Sequence, residues 1–319
     1  MKNQLPLHSY SSSGFTLIEL LISIAITGIV AGTIINMFIN HQNSYRVQLQ
    51  VAGLHQNLRA AMNLISEDIR KSGHYTFLDG RIHRRYVDWN PEESGYDSFR
   101  HSVYGVNNIT GQERYGDNTD SIMIVKSGDD RGHLQPGAYA GKGSNVLNLS
   151  DLDLDGDGDD DLNSGGRSFG ILVKSDLSGA HIFKINSVNL ASGSSSGSTS
   201  GTSLTVAENF PEHYSAGDVI ARVDIIVYRI DTGNTSFDVP VLERKNAGCG
   251  NTFQVVAEDI TNLQFNYLLK DGRLTEEPSG VEAMIVGVSI KLEGKVNVPG
   301  TGIKKRYLEN MVGIRNTVL

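Results

Sequence analysis

Residues 14–20 read Gly14-Phe15-Thr16-Leu17-Ile18-Glu19-Leu20 and continue as LISIAITGIVAGTIINMFI to Ile39, and this stretch decides the architecture. From Phe15 to Ile39 there are 25 residues with one charge, Glu19. A helix rising about 1.5 Å per residue crosses a ~30 Å hydrocarbon layer in roughly 20 residues, so the run is long enough to span a membrane. A secretory signal is opposed by two features. The run exceeds the usual apolar core of about 7–15 residues, and its far end, NMFINHQNSYR, offers no small-x-small cleavage site. A plain membrane anchor fits the length but leaves Glu19 unexplained, because a carboxylate in lipid costs on the order of 3 kcal/mol.

Upstream, residues 1–14, MKNQLPLHSYSSSG, form a short polar leader with one lysine that ends in Gly14. Leader and Gly14–Leu20 string together resemble the processing site of a type IV prepilin. The resemblance implies that a membrane-embedded prepilin peptidase cuts between Gly14 and Phe15 and that the new amine of Phe15 is methylated. It also implies that Glu19, fifth residue of the mature chain, sets the register between adjacent subunits. The physics is consistent with this. Cutting creates a cationic amine, and a buried carboxylate is tolerable when such a group on a neighbouring subunit pairs with it.

Gly28 and Gly32 lie four apart, a GxxxG spacing that lets helix backbones approach closely. Glycine is also common in membrane helices without any such role, so the spacing permits packing rather than demanding it. Many major pilins carry a proline near the position held here by Asn36. That departure implies a straighter helix, or a subunit that is not the bulk filament component.

The helix is expected to continue beyond the membrane. Val47, Val51, Leu54, Leu58, Ala61, Ile65 and Ile69 recur at three and four, one apolar stripe. Gln48, Gln56, Arg59, Glu67, Arg70 and Lys71 decorate the other side, and Ser72-Gly73 is a stop. Phe15 to Ser72 then reads as one helix of about 85 Å.

Past Gly73 the pattern turns to short strands among Gly, Asn, Asp and Ser. Residues 74–118 hold few clean periods, and Arg81, His83, Arg84 and Arg85 there read as a solvated loop. Strands are expected at Ser121–Lys126, Asn145–Leu149, Phe169–Lys174, Ala180–Val188, Ser203–Ala207, Val219–Ile230, Pro240–Arg244, Gln264–Leu269, Ala283–Leu292 and Tyr307–Val318. The expected fold class is α+β: the long helix packed on an antiparallel sheet head with long loops. The domains are a leader (1–14), a helix (15–72, with 15–39 transmembrane) and a head (73–319). The head contains an acidic loop (151–164) and a low-complexity Ser/Gly loop (191–203).

Val255-Val-Ala-Glu-Asp-Ile-Thr-Asn-Leu-Gln-Phe265, together with the ending Tyr307…Gly313-Ile-Arg315-Asn316, is similar to the tail of PilW-type minor pilins. J-type pseudopilins of type II secretion share a related layout but are usually shorter. The middle of the chain, about 75–250, follows no such pattern.

Asp151 to Asp161 places seven carboxylates in eleven residues, nearly all of the net charge of −8. A calcium loop would start at Asp153, with Asp155, Asp157, Asp159 and Asp161 at alternate positions and Gly158 at the turn. Ser164 stands where the closing bidentate glutamate belongs, and no flanking helices are evident. An isolated Ca²⁺ loop and a solvated acidic loop both fit.

Other chemistry is poorly supported. The acidic balance excludes a general nucleic-acid binder. One cysteine, Cys249, closes no intramolecular disulfide. Gly193-Ser-Ser195-Ser-Gly197 matches a nucleophile pattern by chance, inside a Ser/Gly tract. The nine histidines lack metal-ligand spacing, and Trp89 reads as a packing residue. The resemblance thus implies a non-enzymatic minor subunit of a type IV pilus that takes part in assembly and its initiation, held in the inner membrane with a periplasmic head before assembly and in the pilus or at its tip afterwards. Its partners would be other pilins, the peptidase and the assembly platform.

Overall fold

The computed structural model describes residues 15–72, 82–83, 102–109, 119–154, 156, 160–162, 169–176, 178–189, 202–233, 239–246, 252–298 and 302–314. One helix, α1, runs Leu17–Lys71, 55 residues and about 82 Å long. Its ends fall just inside the expected Phe15 and Ser72, because Thr16 and Ser72 are extended caps rather than helical residues. The Ser72 hydroxyl donates to the Ile69 carbonyl at 2.6 Å and satisfies one of the last-turn acceptors.

The strands, in chain order, are β1 (Ile82–His83), β2 (Val103–Ile109), β3 (Thr119–His133), β4 (Tyr139–Ala140), β5 (Val146–Leu149), β6 (Phe169–Val173), β7 (Ala180–Asn189) and β8 (Thr202–Val206). There follow β9 (Val219–Asp231), β10 (Val241–Asn246), β11 (Gln254–Glu258), β12 (Ile260–Leu269), β13 (Leu274–Thr275), β14 (Ile285–Val298) and β15 (Gly302–Gly313). Eleven of them make one sheet, β11-β10-β9-β6-β7-β8-β5-β4, with β3 beside β9, β2 outside β3 and β1 beside β7. The other four make an antiparallel sheet ordered β13-β12-β14-β15. The fold is α+β and pilin-like.

Two long strands organise the larger sheet. β3 and β9 pair antiparallel from Ile122↔Tyr228 to His133↔Val219, as the arms of one hairpin. Their connection is residues 134–218, clamped where it leaves and returns by Leu134 N–H to Asp218 O at 2.8 Å and Gly217 N–H to Leu134 O at 2.9 Å. That connection has a core of its own, including Leu147, Leu162, Leu172, Phe183, Phe210 and Tyr214. The runs IMIV (122–125) and IIVY (225–228) are apolar at successive positions because both faces of β3 and β9 are buried there. Ile122, Ile124, Ile226 and Tyr228 face the core shared with α1, while Met123, Val125, Ile225 and Val227 face a second cluster.

The second half of α1 lies on the four-stranded sheet. Leu54, Leu58, Ala61, Met62, Ile65 and Ile69 are buried against Ile260, Leu263, Phe265, Ile290 and Leu292, and Val47 packs at the edge of the same cluster. The helix comes so close at Gly294 that an added Cβ would lie 2.5 Å from Leu54 Cδ1 and 2.7 Å from the Asp259 carbonyl. Asp120, on β3, joins the two sheets by accepting the Phe265 amide at 2.7 Å.

Asp68 is the charge buried beneath this helix. Its Oδ1 takes Lys126 Nζ at 2.7 Å, and its Oδ2 takes Tyr228 Oη at 2.6 Å and Arg244 Nε at 3.1 Å. Burial pushes the carboxyl upward. The hydrogen bonds from Lys126 and Tyr228 and the charges of Lys126 and Arg244 outweigh that and hold it below the ordinary carboxylate range.

Several expected bounds move. Residues 74–118 contain β1 and β2, so His83 is in a strand rather than a solvated loop, while Arg81, Arg84 and Arg85 lie outside the described residues. The strand expected at Gln264 starts at Ile260, and that expected at Ala283 starts at Ile285 after a 3-10 turn, Glu282–Met284. The last strand, Gly302–Gly313, starts before the expected Tyr307, because pairing along β14 recruits Lys304-Lys305-Arg306, which has no apolar period of its own; residues 315–318 of the expected strand lie outside the described residues. Thr202 and Ser203 belong to β8, and residues 191–201, with the Gly193–Gly197 pattern, lie outside the described residues.

Asp68→Asn removes the buried charge that three partners address, with an expected cost of roughly 3 kcal/mol in denaturant unfolding of the head. The wild-type contribution is present above the unfolded carboxyl value of about 4 and is lost as pH falls through the lower folded value. The wild-type–variant difference in unfolding midpoint should therefore hold from neutrality to mild acid and close only below about pH 4.

Candidate functional site

The first half of α1 has no partner in the chain. Every residue from Phe15 to Arg46 is exposed, and Phe15 itself is 84% exposed. A contiguous apolar surface of this kind marks a membrane or protein contact. The described residues contain one helix long and apolar enough to cross a membrane, and it is α1.

At its start Thr16 and Glu19 form a capping box. The Glu19 amide donates to Thr16 Oγ1 at 3.3 Å, and Glu19 Oε2 accepts the Thr16 amide at 3.0 Å and the Thr16 hydroxyl at 2.8 Å. The carboxylate that a plain membrane anchor leaves unexplained is thus held over the helix N-terminus, where negative charge is favoured by the helix dipole. Phe15 sits one residue ahead of the cap; Gly14, on the other side of the expected cut, lies outside the described residues. Gly28 and Gly32 face open space, with nothing within 4 Å of an added Cβ. Close approach by another helix is sterically open there.

The acidic loop is described in part. Asp151 Oδ1 accepts the amides of Leu152 and Asp153, and Asp153 Oδ1 accepts that of Gly156 at 2.6 Å. Asp161 is buried, and its Oδ2 takes the Leu154 amide at 2.6 Å. Buried Leu152 and Leu162 pin the two shoulders of the loop to the core of the 134–218 connection. Asp155, Asp157 and Asp159 lie outside the described residues. Among the described residues no group of three His, Cys, Asp or Glu side chains is placed to hold a metal. Asp153 and Asp161 each have one carboxylate oxygen engaged by backbone, a shoulder-bracing role that spacing alone does not distinguish from ligation. Trp89 and Cys249 also lie outside the described residues.

The tail stretch Val255–Phe265 has a mechanical job. Its Glu258-Asp259 corner carries the chain from β11 in the large sheet to β12 in the small one. Asp259 adopts φ 63°, a left-handed conformation that Asp tolerates better than most residues. Asn57 of α1 donates to the Glu258 carbonyl at 3.2 Å, and the Lys295 amide donates to the Asp259 carbonyl at 3.0 Å. The Ala-Glu-Asp sequence was visible; that it fastens both sheets to the helix was not.

A family model described as the prokaryotic N-terminal methylation motif matches residues 10–35. No curated protein and no solved structure gives a significant match. The motif supports a type IV prepilin-like protein, a description covering pilins and pseudopilins alike.

Asp161→Ala should destabilise the head by about 1 kcal/mol, because the Leu154 amide loses its acceptor in a partly buried place. The loss should be the same in chelator as in added calcium. A loss confined to the calcium condition would make Asp161 a ligand rather than a brace.

Proposed function

We propose that this chain is a PilW-type minor pilin. Prepilin peptidase cuts it between Gly14 and Phe15, Phe15 is methylated, and the subunit joins a type IV pilus by packing residues 15–39 among the helices of other pilins. Before assembly it resides in the inner membrane through that helix, with the head in the periplasm and the assembly platform as its partner. The observation that carries this reading is the division of α1. A continuous helix exposes its apolar first half and buries the stripe of its second half in a head. The matched methylation motif supports the same reading. Proteins carrying it are typically structural, and no catalytic activity is assigned.

Glu19 acts in two settings. In the single subunit it caps its own helix through Thr16. In the filament it exchanges that local partner for the Phe15 amine of a neighbour, so the cap keeps the carboxylate satisfied until the partner arrives. Mass spectrometry of assembled material should find a mature terminus at methylated Phe15; an intact Met1 terminus there refutes the proposal. Glu19→Leu should be processed normally yet incorporate poorly. A J-type pseudopilin is the alternative under the same motif, and deletion separates them: loss of pili for the first, loss of protein export for the second.

A second reading rests on the 134–218 connection, which leaves and returns at adjacent ends of β3 and β9 and carries its own core. There the chain displays a calcium-dependent adhesive module, with Asp153, Asp155, Asp157, Asp159 and Asp161 around the cation. Asp153→Ala with Asp155→Ala should then abolish calcium-dependent attachment while piliation stays normal. Loss of pili in that variant would give the loop a role in folding or assembly instead.

A further inference from the structure

The β14–β15 hairpin lies along α1 and points back toward the apolar half. Two contacts fix its level. Asn310 Nδ2 donates to Ser66 Oγ at 3.2 Å, and Gly294 abuts Leu54. Asn310 pairs with Ile290, and Arg306 with Gly294. Moving from Ile290 to Gly294 therefore accompanies a move from Ser66 to Leu54, about 14 Å of strand against about 18 Å of helix. The same pairing continues without a bulge to Val298↔Gly302, a further ~13 Å. That row falls beside residue 45 or so of α1, about 9 Å beyond Ile39, where the apolar run ends. Packing of Val47 against the cluster that contains Val296 and Val298 agrees with this placement.

The hairpin end is basic in a chain whose net charge is −8. Lys295, Lys304, Lys305 and Arg306 occupy three successive rows, and Arg46 is exposed on the helix at the same end. Lys305 pairs with Glu293 at 3.0 Å. Lys295, Lys304, Arg306 and Arg46 have no ion pair among the described residues. The corner carboxylates Glu258 and Asp259 sit on the opposite side of β14 from β15, since Ile260 pairs with Gly294. Ile303, 60% exposed, is next to the tip. β15 is an edge strand, and lysines on an edge also discourage strand pairing. That role does not require them to gather at the end nearest the apolar run.

We propose that this hairpin end is a membrane-surface contact, in which Arg46, Lys295, Lys304, Lys305 and Arg306 meet the anionic phosphates of phospholipid headgroups while Ile303 rests at the interface. The inference rests on reading residues 15–39 as membrane-spanning. The headgroup layer extends roughly 5–8 Å beyond the hydrocarbon, and the screening length at physiological salt is about 8 Å. The tip row stands just outside that layer, and the cationic rows follow about 7–14 Å behind it, so extended lysine and arginine side chains come to within roughly a screening length of the phosphates. Basic residues so placed are attracted to anionic lipid and bring the head down onto the bilayer. The contact holds an unassembled subunit in one orientation and is given up when the helix leaves the membrane for a filament.

The test uses the full chain inserted in vesicles of phosphatidylcholine alone or with added phosphatidylglycerol. Cys249→Ser removes the native thiol, and Ile303→Cys carries a nitroxide whose collisions with a water-soluble quencher are measured. Shielding of the label several-fold greater in the anionic vesicles is expected. It should vanish in 1 M salt, where the screening length is about 3 Å. It should also vanish in Lys295→Glu with Lys305→Glu and Arg306→Glu, and weaken in the matching Gln variant. Equal shielding in both lipids, or shielding that survives charge reversal, overturns the proposal. So does shielding that appears only when other pilin subunits are added, which would make the hairpin a protein contact. Flotation separates the premise: a chain that floats with neutral vesicles but shows no lipid-dependent shielding defeats only this contact, whereas one that does not float defeats the membrane-spanning reading and this contact with it.

Discussion

The structure depends on one imbalance: α1 carries apolar side chains along its whole length, yet the head covers only its second half. Leu54, Leu58, Ala61, Ile65 and Ile69 are removed from water by the two sheets, while Phe15 to Arg46 meets nothing in the chain. Apolar surface on that scale is unfavourable in water and favourable in lipid or against other helices. The protein therefore cannot be understood as a self-contained soluble unit. It is a head whose anchor awaits an environment, and the methylation motif over residues 10–35 lies on that anchor.

The covered half is held by more than apolar contact. Asp68 reaches Lys126, Tyr228 and Arg244 on three neighbouring strands, and Asn57 and Asn310 tie the helix to the sheet-switching corner and to β15. Hydrophobic packing is non-directional and would tolerate some sliding of a smooth stripe. A buried carboxylate with three fixed donors does not, so the helix has one rotation and one height relative to the head. That height sets how far the β14–β15 tip stands from the apolar run.

The head has two regions with different dependence on the helix. One surrounds α1 and uses the four-stranded sheet together with the ends of β3 and β9 near Ile122 and Tyr228. The other, residues 134–218, hangs from the far ends of the same two strands and keeps its own core. The long helix belongs to the first, whereas the second packs on a core that the helix does not enter. The acidic loop belongs to that second region, and the inward turn of Asp161 shows part of its acidity at work bracing backbone.

Local patterns were legible without the structure. The long apolar run, the three-and-four spacing from Val47 to Ile69 and the stop at Ser72 depend on neighbours within a turn or two, and each helical expectation held to within the cap residues. Most strands were legible for the same reason, since alternation or an unbroken β-branched run is written into adjacent positions. What the sequence could not fix were features created by distant partners. Lys304-Lys305-Arg306 becomes strand only because β14 supplies a ladder, and Asp68 reads as one more polar residue until Tyr228 and Arg244 arrive from over 150 residues away. Gly294 is unremarkable in sequence and obligatory once Leu54 presses against it. The sequence by itself determined that a membrane-length rod carries a β-rich head, because hydropathy and periodicity are properties of the chain. Which charges stand buried under the rod, and which cations gather toward the end of its apolar half, only tertiary packing decided, because register and burial are properties of pairs.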